Sequence, residues 1–196
     1  MLIPEFVQPN ITNIVSSVNL NCNLNVKEIS SQIMNTIYNE KFKRVEIIIK
    51  EPKSSAFIYY TGKLICLGAK SVEDSKIAAK KYYNMIKSLG YDVKFNDFKI
   101  VNIVATCDVK FSILLNKLNE KEYQKFKTNE INLNYEPTVY PGLIIHMKKP
   151  EVTLTIFGSG KINFTGAKNP EDIKKALELL YPLIYKYKNK TNIKNN

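Results

Sequence analysis

Histidine is almost missing from this chain of 196 residues: His146 stands alone, which leaves little room for histidine-based catalysis or a multi-histidine metal site. Cysteine is scarce too. Cys22, Cys66 and Cys107 are odd in number, widely spaced and form no CxxC pair, which argues against a disulfide framework and a thiolate zinc site and fits a reducing compartment. No run approaches the ~18 consecutive apolar residues of a membrane helix, and the opening MLIPEFVQPN has no basic region ahead of an apolar stretch. Neither a membrane span nor a secretory signal is expected. Acidic residues are in deficit, 18 Asp and Glu against 29 Lys and Arg, for a net charge of +11 and an isoelectric point near 9.4. A polyanionic partner follows, with nucleic acid ahead of a membrane surface. What remains is ordinary for a globular protein, 44% apolar and 24% charged with seven Gly and eight Pro, enough for one domain or two half-size units.

The chain repeats itself. Residues 52 to 86 align without a gap on residues 150 to 184, with 13 of 35 positions identical, among them Pro52, Gly62, Lys63, Gly68, Ala69, Lys70 and Tyr83. Upstream, Asn13 to Val15 matches Asn102 to Val104 at an offset of 89 instead of 98, so the second copy is longer in its middle. The halves run over 10–97 and 98–190, with flexible termini at 1–9 and 191–196, and two like halves suggest an intramolecular pseudo-twofold.

Within the second copy, residues 151 to 165 alternate. Val152, Leu154, Ile156, Ile162 and Phe164 form one face, and Thr153, Thr155, Phe157, Lys161, Asn163 and Thr165 the other, joined by a turn at Gly158 to Gly160. In the first copy Ala56, Ile58, Leu64 and Cys66 take the buried parity, while Phe57, Tyr59, Lys63, Ile65 and Leu67 take the outer one. A helix follows each hairpin. Ser71 with Asp74 reads as a capping box, and Asn169 before Pro170 as an N-cap with proline at the first helical position. Shorter helices are expected near Val26 to Met34 and Ser112 to Leu118. The fold class is therefore α+β, an antiparallel sheet with helices on one face.

Several tempting sites fail on chemistry. Gly62 to Ser71 clusters Gly, Lys and Ser before a helix, but five residues separate its glycines and Ala69 precedes Lys70, so it is not a phosphate loop. His146 has no carboxylate pattern around it and reads as a structural or solvent-facing residue. Glu46, Asp97 and Asp108 are scattered acids, and a metal-dependent enzyme acting on nucleic acid is the contrasting class they would have to support. No motif asks for a cofactor, metal or small-molecule ligand. The outer sheet face is the unusual feature: aromatics at Phe42, Phe57, Tyr59, Tyr140 and Phe157 sit near strand ends, interleaved with Lys63, Lys70, Lys161 and Lys168, and Phe57, Tyr59 and Phe157 fall on the parity opposite the aliphatic core. Such a face suits shallow contact with base edges between phosphates.

Phe98 to Val104, Cys107 to Phe111, Tyr135 to Pro137, Tyr140 to Ile144 and the duplicated Gly-Lys and Gly-Ala-Lys strands resemble the conserved core of the TATA-binding protein family over about residues 10 to 188. The resemblance implies a saddle: a curved ten-stranded antiparallel sheet whose concave face meets the minor groove, with four helices on the convex side. It implies a sequence-specific protein that binds and bends double-stranded A·T-rich promoter DNA to nucleate a transcription pre-initiation complex. Wedging by aromatic side chains is this family's own known property, and the wedge positions fall on Phe42, Tyr59, Tyr140 and Phe157. Base contacts fall on Asn13, Val15, Phe57, Ile65, Leu67, Asn102, Val104, Thr155, Asn163 and Thr165. Phosphate contacts fall on Thr61, Lys63, Lys70, Ser159, Lys161 and Lys168. The family's arginine pair is replaced by Ile48 and His146, and Thr153, Thr155 and Asn163 stand where the family is usually aliphatic. Implied partners are transcription factor IIA at Lys76, Lys80 and Lys81, transcription factor IIB at Glu136, and associated factors of the initiation complex. Nuclear localisation follows from the same resemblance. A divergent TATA-binding-like factor with altered DNA preference is the alternative, disfavoured because all four wedge positions stay aromatic. The extra residues between Leu115 and Asn134 are expected to be a solvated insertion, with Asn119 to Thr128 dispensable.

Overall fold

The computed structural model describes residues 2–126 and 130–190. Among these the chain runs twice through one order. The first pass is β1 (Asn10–Asn19), α1 (Val26–Gln32), β2 (Thr36–Asn39), β3 (Arg44–Ile49), β4 (Ser54–Tyr59), β5 (Lys63–Ala69) and α2 (Val72–Ser88). The second is β6 (Asn96–Asp108), α3 (Leu115–Phe126), β7 (Ile131–Asn134), β8 (Leu143–Lys148), β9 (Glu151–Ile156), β10 (Lys161–Ala167) and α4 (Pro170–Lys186). The ten strands form an antiparallel sheet in the order β2-β3-β4-β5-β1-β6-β10-β9-β8-β7. The chain divides into two compact units, Ile11–Asn102 and Met1–Asn10 with Ile103–Asn196.

In the first unit the period-two pattern does what it predicts. Val45, Ile47, Ala56, Ile58, Leu64 and Cys66 are buried from β3 to β5, and α1 and α2 cover them with Val26, Ile29, Ala78, Ala79, Tyr82 and Ile86. Each fully buried aliphatic of this kind contributes roughly 1.5–3 kcal/mol. Tyr82 brings a polar atom inside, and its hydroxyl donates to the Ser54 carbonyl at 2.8 Å while lying 3.1 Å from the Ser54 hydroxyl. Burial pushes the Tyr82 hydroxyl up to about 12. The expected caps form: the Ser71 hydroxyl accepts from the Asp74 N–H at 3.0 Å, and the Asn169 side chain accepts from the Glu171 N–H at 3.1 Å. With helices burying only the inward residues of the strands, the outward residues are left for something else.

Two expectations need correction. The segment 1–9 is not simply a flexible tail, because Val7 is fully buried in the second unit and its N–H reaches the Pro4 carbonyl at 2.9 Å. The supposed insertion is also structural. The helix expected at Ser112 to Leu118 is α3, which begins at Leu115 and runs to Phe126. Its Leu115, Leu118 and Glu122 share one buried face at spacings of three and four. The Glu122 carboxylate accepts from the Lys186 ammonium at 2.7 Å and the Tyr187 hydroxyl at 2.5 Å, tying α3 to the end of α4. A Lys- and Glu-rich composition disguises this face because its contact with α4 is partly ionic. Residues 127–129 and 191–196, on which the rest of the insertion and the C-terminal tail fall, lie outside the described residues.

Candidate nucleic-acid interface

In the first unit the outward residues line up by register. Arg44 stands opposite Tyr59, Glu46 opposite Phe57 and Ile48 opposite Ser55. Phe57 is in turn opposite Ile65, and Ser55 opposite Leu67. Phe57, Tyr59, Ile65 and Leu67 are each half-buried, while Phe42 is 53% exposed at the turn before β3. The β4–β5 part of the face is thus largely apolar and open, with the charged Arg44 and Glu46 of β3 beside it.

Asn13 has its orientation set by a bulge. Between Ile14 and Ser16 the β1–β5 register shifts, and Gly68 takes φ +100° there, a conformation that favours glycine. The freed Gly68 N–H donates to the Asn13 side-chain oxygen at 2.8 Å. With its oxygen engaged, the Asn13 amide offers its NH2, a donor of the kind that A·T acceptors in a minor groove require. Val15 sits half-buried beside it, and Asn102 and Val104 take matching half-buried places on β6.

The second unit presents a different surface from the same strand pattern. Asn163 is opposite both Thr155 of β9 and Thr106 of β6, and Thr165 is opposite Thr153. His146 is opposite Thr153, and its Nδ1 lies 3.0 Å from the Thr153 hydroxyl. On β9 and β10 polar side chains therefore replace the largely apolar set that β4 and β5 present in the first unit. The aromatic pair survives: the Tyr140 and Phe157 rings meet edge-to-face with centroids 6.1 Å apart. Gly142 makes that approach possible, because a Cβ there would stand 2.7 Å from both the Tyr140 ring and the Thr155 methyl.

At the corresponding place in the first unit stands Arg44, a residue the sequence reading passed over. Its guanidinium carbon is 3.9 Å from the Phe57 ring centroid, 5.2 Å from that of Phe42 and 5.9 Å from that of Tyr59. Its Nη1 also donates to the Tyr59 hydroxyl at 3.2 Å. Contacts of this type contribute about 0.5–1 kcal/mol each at exposed sites. The signal available in the sequence was an arginine two residues after one wedge position, but its meaning depends on the β3–β4 register.

The lysines expected at phosphates divide into two kinds. Lys63, Lys70 and Lys161 are exposed. Lys168 is exposed too, yet its ammonium donates to the Glu151 carboxylate at 2.8 Å, and that bond holds the Glu151 carboxyl below its ordinary value. The first-unit counterpart of Glu151 is Lys53, so this neutralisation occurs in one repeat only. Thr61 and Ser159 sit exposed in the two hairpin turns. Open grooves run beside both turn lysines, lined in the first unit by Thr61, Lys63 and Lys99 and in the second by Lys110, Lys161 and Asn163. Lys99 and Lys110 were not singled out from the sequence. On the helices, Lys76 and Lys80 are exposed, Lys81 donates to the Glu51 carbonyl at 2.5 Å, and Glu136 accepts from the Thr138 hydroxyl at 2.8 Å. Among the described residues no group of three His, Cys, Asp or Glu side chains is placed to hold a metal ion.

Comparison with known proteins points to one family. The family model described as transcription factor TFIID, or TATA-binding protein, matches residues 8–89 and 97–187. The TATA-box-binding protein of Acetabularia peniculus is 44% identical over 186 residues, which cover 94% of this chain and 94% of that protein. TATA-box-binding protein 1 of Triticum aestivum is 46% identical over 186 residues, covering 94% of this chain and 77% of that protein. Among solved structures, the Methanococcus jannaschii TBP superposes with a TM-score of 0.75 at 34% identity, covering 91% of this chain and 99% of that one.

Proposed function

The chain belongs to the TATA-binding protein family, and from that membership we infer that it binds TATA-like promoter DNA in transcription initiation, as a binding protein and not an enzyme. The observation that carries the reading is the duplicated outward face, on which aromatics recur at the same strand ends in both repeats. Phe42 with Tyr59, and Tyr140 with Phe157, are the side chains that enter base steps. Asn13 and Asn102 donate to minor-groove acceptors, and Val15, Phe57, Ile65, Leu67 and Val104 make flat apolar contact. Thr155, Asn163 and Thr165 read the second half-site. Thr61, Lys63, Lys70, Ser159, Lys161 and Lys168 meet phosphates, which fix position without reading sequence. The bulge-fixed amide of Asn13 and the open lysines at the hairpin turns support these roles.

Transcription factors IIA and IIB are the protein partners this reading assigns, at the exposed Lys76 and Lys80 of α2 with Lys81, and at Glu136 respectively. The basic surface of α2 supports the first through attraction to an acidic partner. The nucleus is the compartment, supported by relatives drawn from organisms that have one. A binding selection on random duplex DNA tests the proposal. Enrichment of A·T-rich, TATA-like sites is expected, whereas recovery of no preferred sequence, or cleavage of the duplex with a divalent metal, would overturn it.

A further inference from the structure

Arg44 is the chain's sole arginine, and its environment is built rather than incidental. It opens β3 directly opposite Tyr59, on the outward parity shared with Phe57 and, across β4, with Ile65. Three aromatic rings, Phe42, Phe57 and Tyr59, surround the guanidinium at 5.2, 3.9 and 5.9 Å. One N–H goes to the Tyr59 hydroxyl at 3.2 Å. Among the described residues no carboxylate lies within ion-pair distance of it; Glu46, opposite Phe57, shares the outward face, and ring faces make the guanidinium's closest contacts. A guanidinium has five donors and stays protonated, so four N–H groups of a fixed cation remain available on this face.

We propose that Arg44 determines base preference at the first repeat: the aromatic cage presents its guanidinium to acceptor atoms on the floor of an A·T minor groove, beside the wedge step. The inference rests on the minor-groove reading above and deepens it. The minor groove of A·T pairs displays only acceptors, and where narrow it is strongly negative, so a caged cation is attracted there. A G·C pair adds the guanine amino group, a donor that meets a donor. Position separates Arg44 from a phosphate contact, because it lies among the wedge aromatics and not at the hairpin turns that carry Lys63 and Lys161. The repeat provides an internal control, since the equivalent residue of the second unit is Gly142, with no side chain to read anything.

The test uses the full chain with Arg44→Met, which keeps bulk and loses charge, and Arg44→Lys, which keeps charge and loses the planar fork. Single G·C replacements are walked across an A·T-rich duplex, and affinity is measured at several salt concentrations, with melting curves as a check on folding. For the unaltered protein a G·C pair next to the first-repeat wedge step costs about tenfold or more in affinity. Arg44→Met lowers that penalty at one end of the site only, and it reduces the magnitude of the log affinity against log salt slope by no more than the ~0.9 of one phosphate contact. Arg44→Lys keeps the slope and, because an ammonium is also a donor without an acceptor, keeps most of the penalty. An unchanged penalty profile in both variants, with the unaltered protein still selecting A·T sites, would overturn the role of Arg44 alone. Failure of the unaltered protein to prefer A·T duplex at all would overturn the minor-groove reading, and this inference with it.

Discussion

Replacing Gly142 with alanine adds one methyl group at the point where the second-repeat aromatics meet. The backbone there lies outside the left-handed region, so alanine is tolerated conformationally, and any effect comes from space. The new Cβ would stand 2.7 Å from a Tyr140 ring carbon, 2.7 Å from the Thr155 methyl and 3.3 Å from a Phe157 ring carbon. The first two lie about 1 Å inside ordinary carbon contact. A rigid site would resist with about 1–3 kcal/mol of overpacking strain. Tyr140 is 43% exposed, however, so its ring swings outward instead and gives up its edge-to-face contact with Phe157, which is worth about 0.5–1.5 kcal/mol. The expected stability loss is therefore about 1 kcal/mol, or roughly 2–4 °C in Tm for a chain of this size. DNA bending should suffer more than folding, because a splayed pair no longer enters one step together. Urea melts give the first quantity and energy transfer between end-labelled fluorophores on a short duplex gives the second. Full stability together with unaltered bending would refute both the packing argument and the role of the pair.

The polar face of the second unit makes the half-sites unequal. G·C pairs should be tolerated better under Thr153, Thr155 and Asn163 than under Ile65 and Leu67, since an oxygen can accept from the guanine amino group while an aliphatic side chain leaves it unpaired at about 1–3 kcal/mol. Thr155→Leu with Asn163→Val should sharpen A·T preference in that half, and equal penalties at both ends for the unaltered protein would contradict this. Glu151→Gln should free the Lys168 charge and steepen the salt dependence of binding by up to about 0.9, and an unchanged slope would show that Lys168 does not reach a phosphate. The Glu151 carboxyl is held low by Lys168, so its contribution to stability is complete above the ordinary carboxylate range and fades as pH falls through its lowered value. Glu122→Ala should destabilise by about 1.5–3 kcal/mol, the range for hydrogen bonds to a charged group. Lys186 is held above its ordinary value mainly by its bond to Glu122, and Tyr187 mainly by burial, so the tie persists at neutral pH and is lost as pH rises through those raised values. An unaltered alkaline melting profile in Glu122→Ala would contradict that assignment.

The repeat, the hairpins and both long helices were legible because identity at a fixed offset and period-two alternation are local properties, visible without knowing which strands pair. Family membership was legible for the same reason. Arg44 was not, because an arginine two residues after Phe42 gains meaning only when β3 pairs with β4 and brings Phe57 and Tyr59 around it. The pairing of Lys168 was hidden for a similar cause: its partner Glu151 lies 17 residues away across a hairpin, so the ion pair has no signature in local spacing. The α3 helix was misjudged on composition. Its Lys and Glu residues suggested a solvated insertion, whereas the spacing of Leu115, Leu118 and Glu122 buries one face and places a carboxylate between Lys186 and Tyr187. Val7 was overlooked because a lone apolar residue near a terminus has no periodic neighbours to announce its burial.

Bending of an end-labelled duplex by the purified chain tests the central claim most directly. On a TATA-like A·T-rich duplex, energy transfer between the ends should rise saturably with protein at moderate salt. It should stay near baseline on a G·C-rich duplex of equal length, and fall when Phe42 and Tyr59, or Tyr140 and Phe157, are replaced together by alanine. Binding that leaves the end-to-end distance unchanged, or equal transfer on both duplexes and in both double variants, would contradict the account.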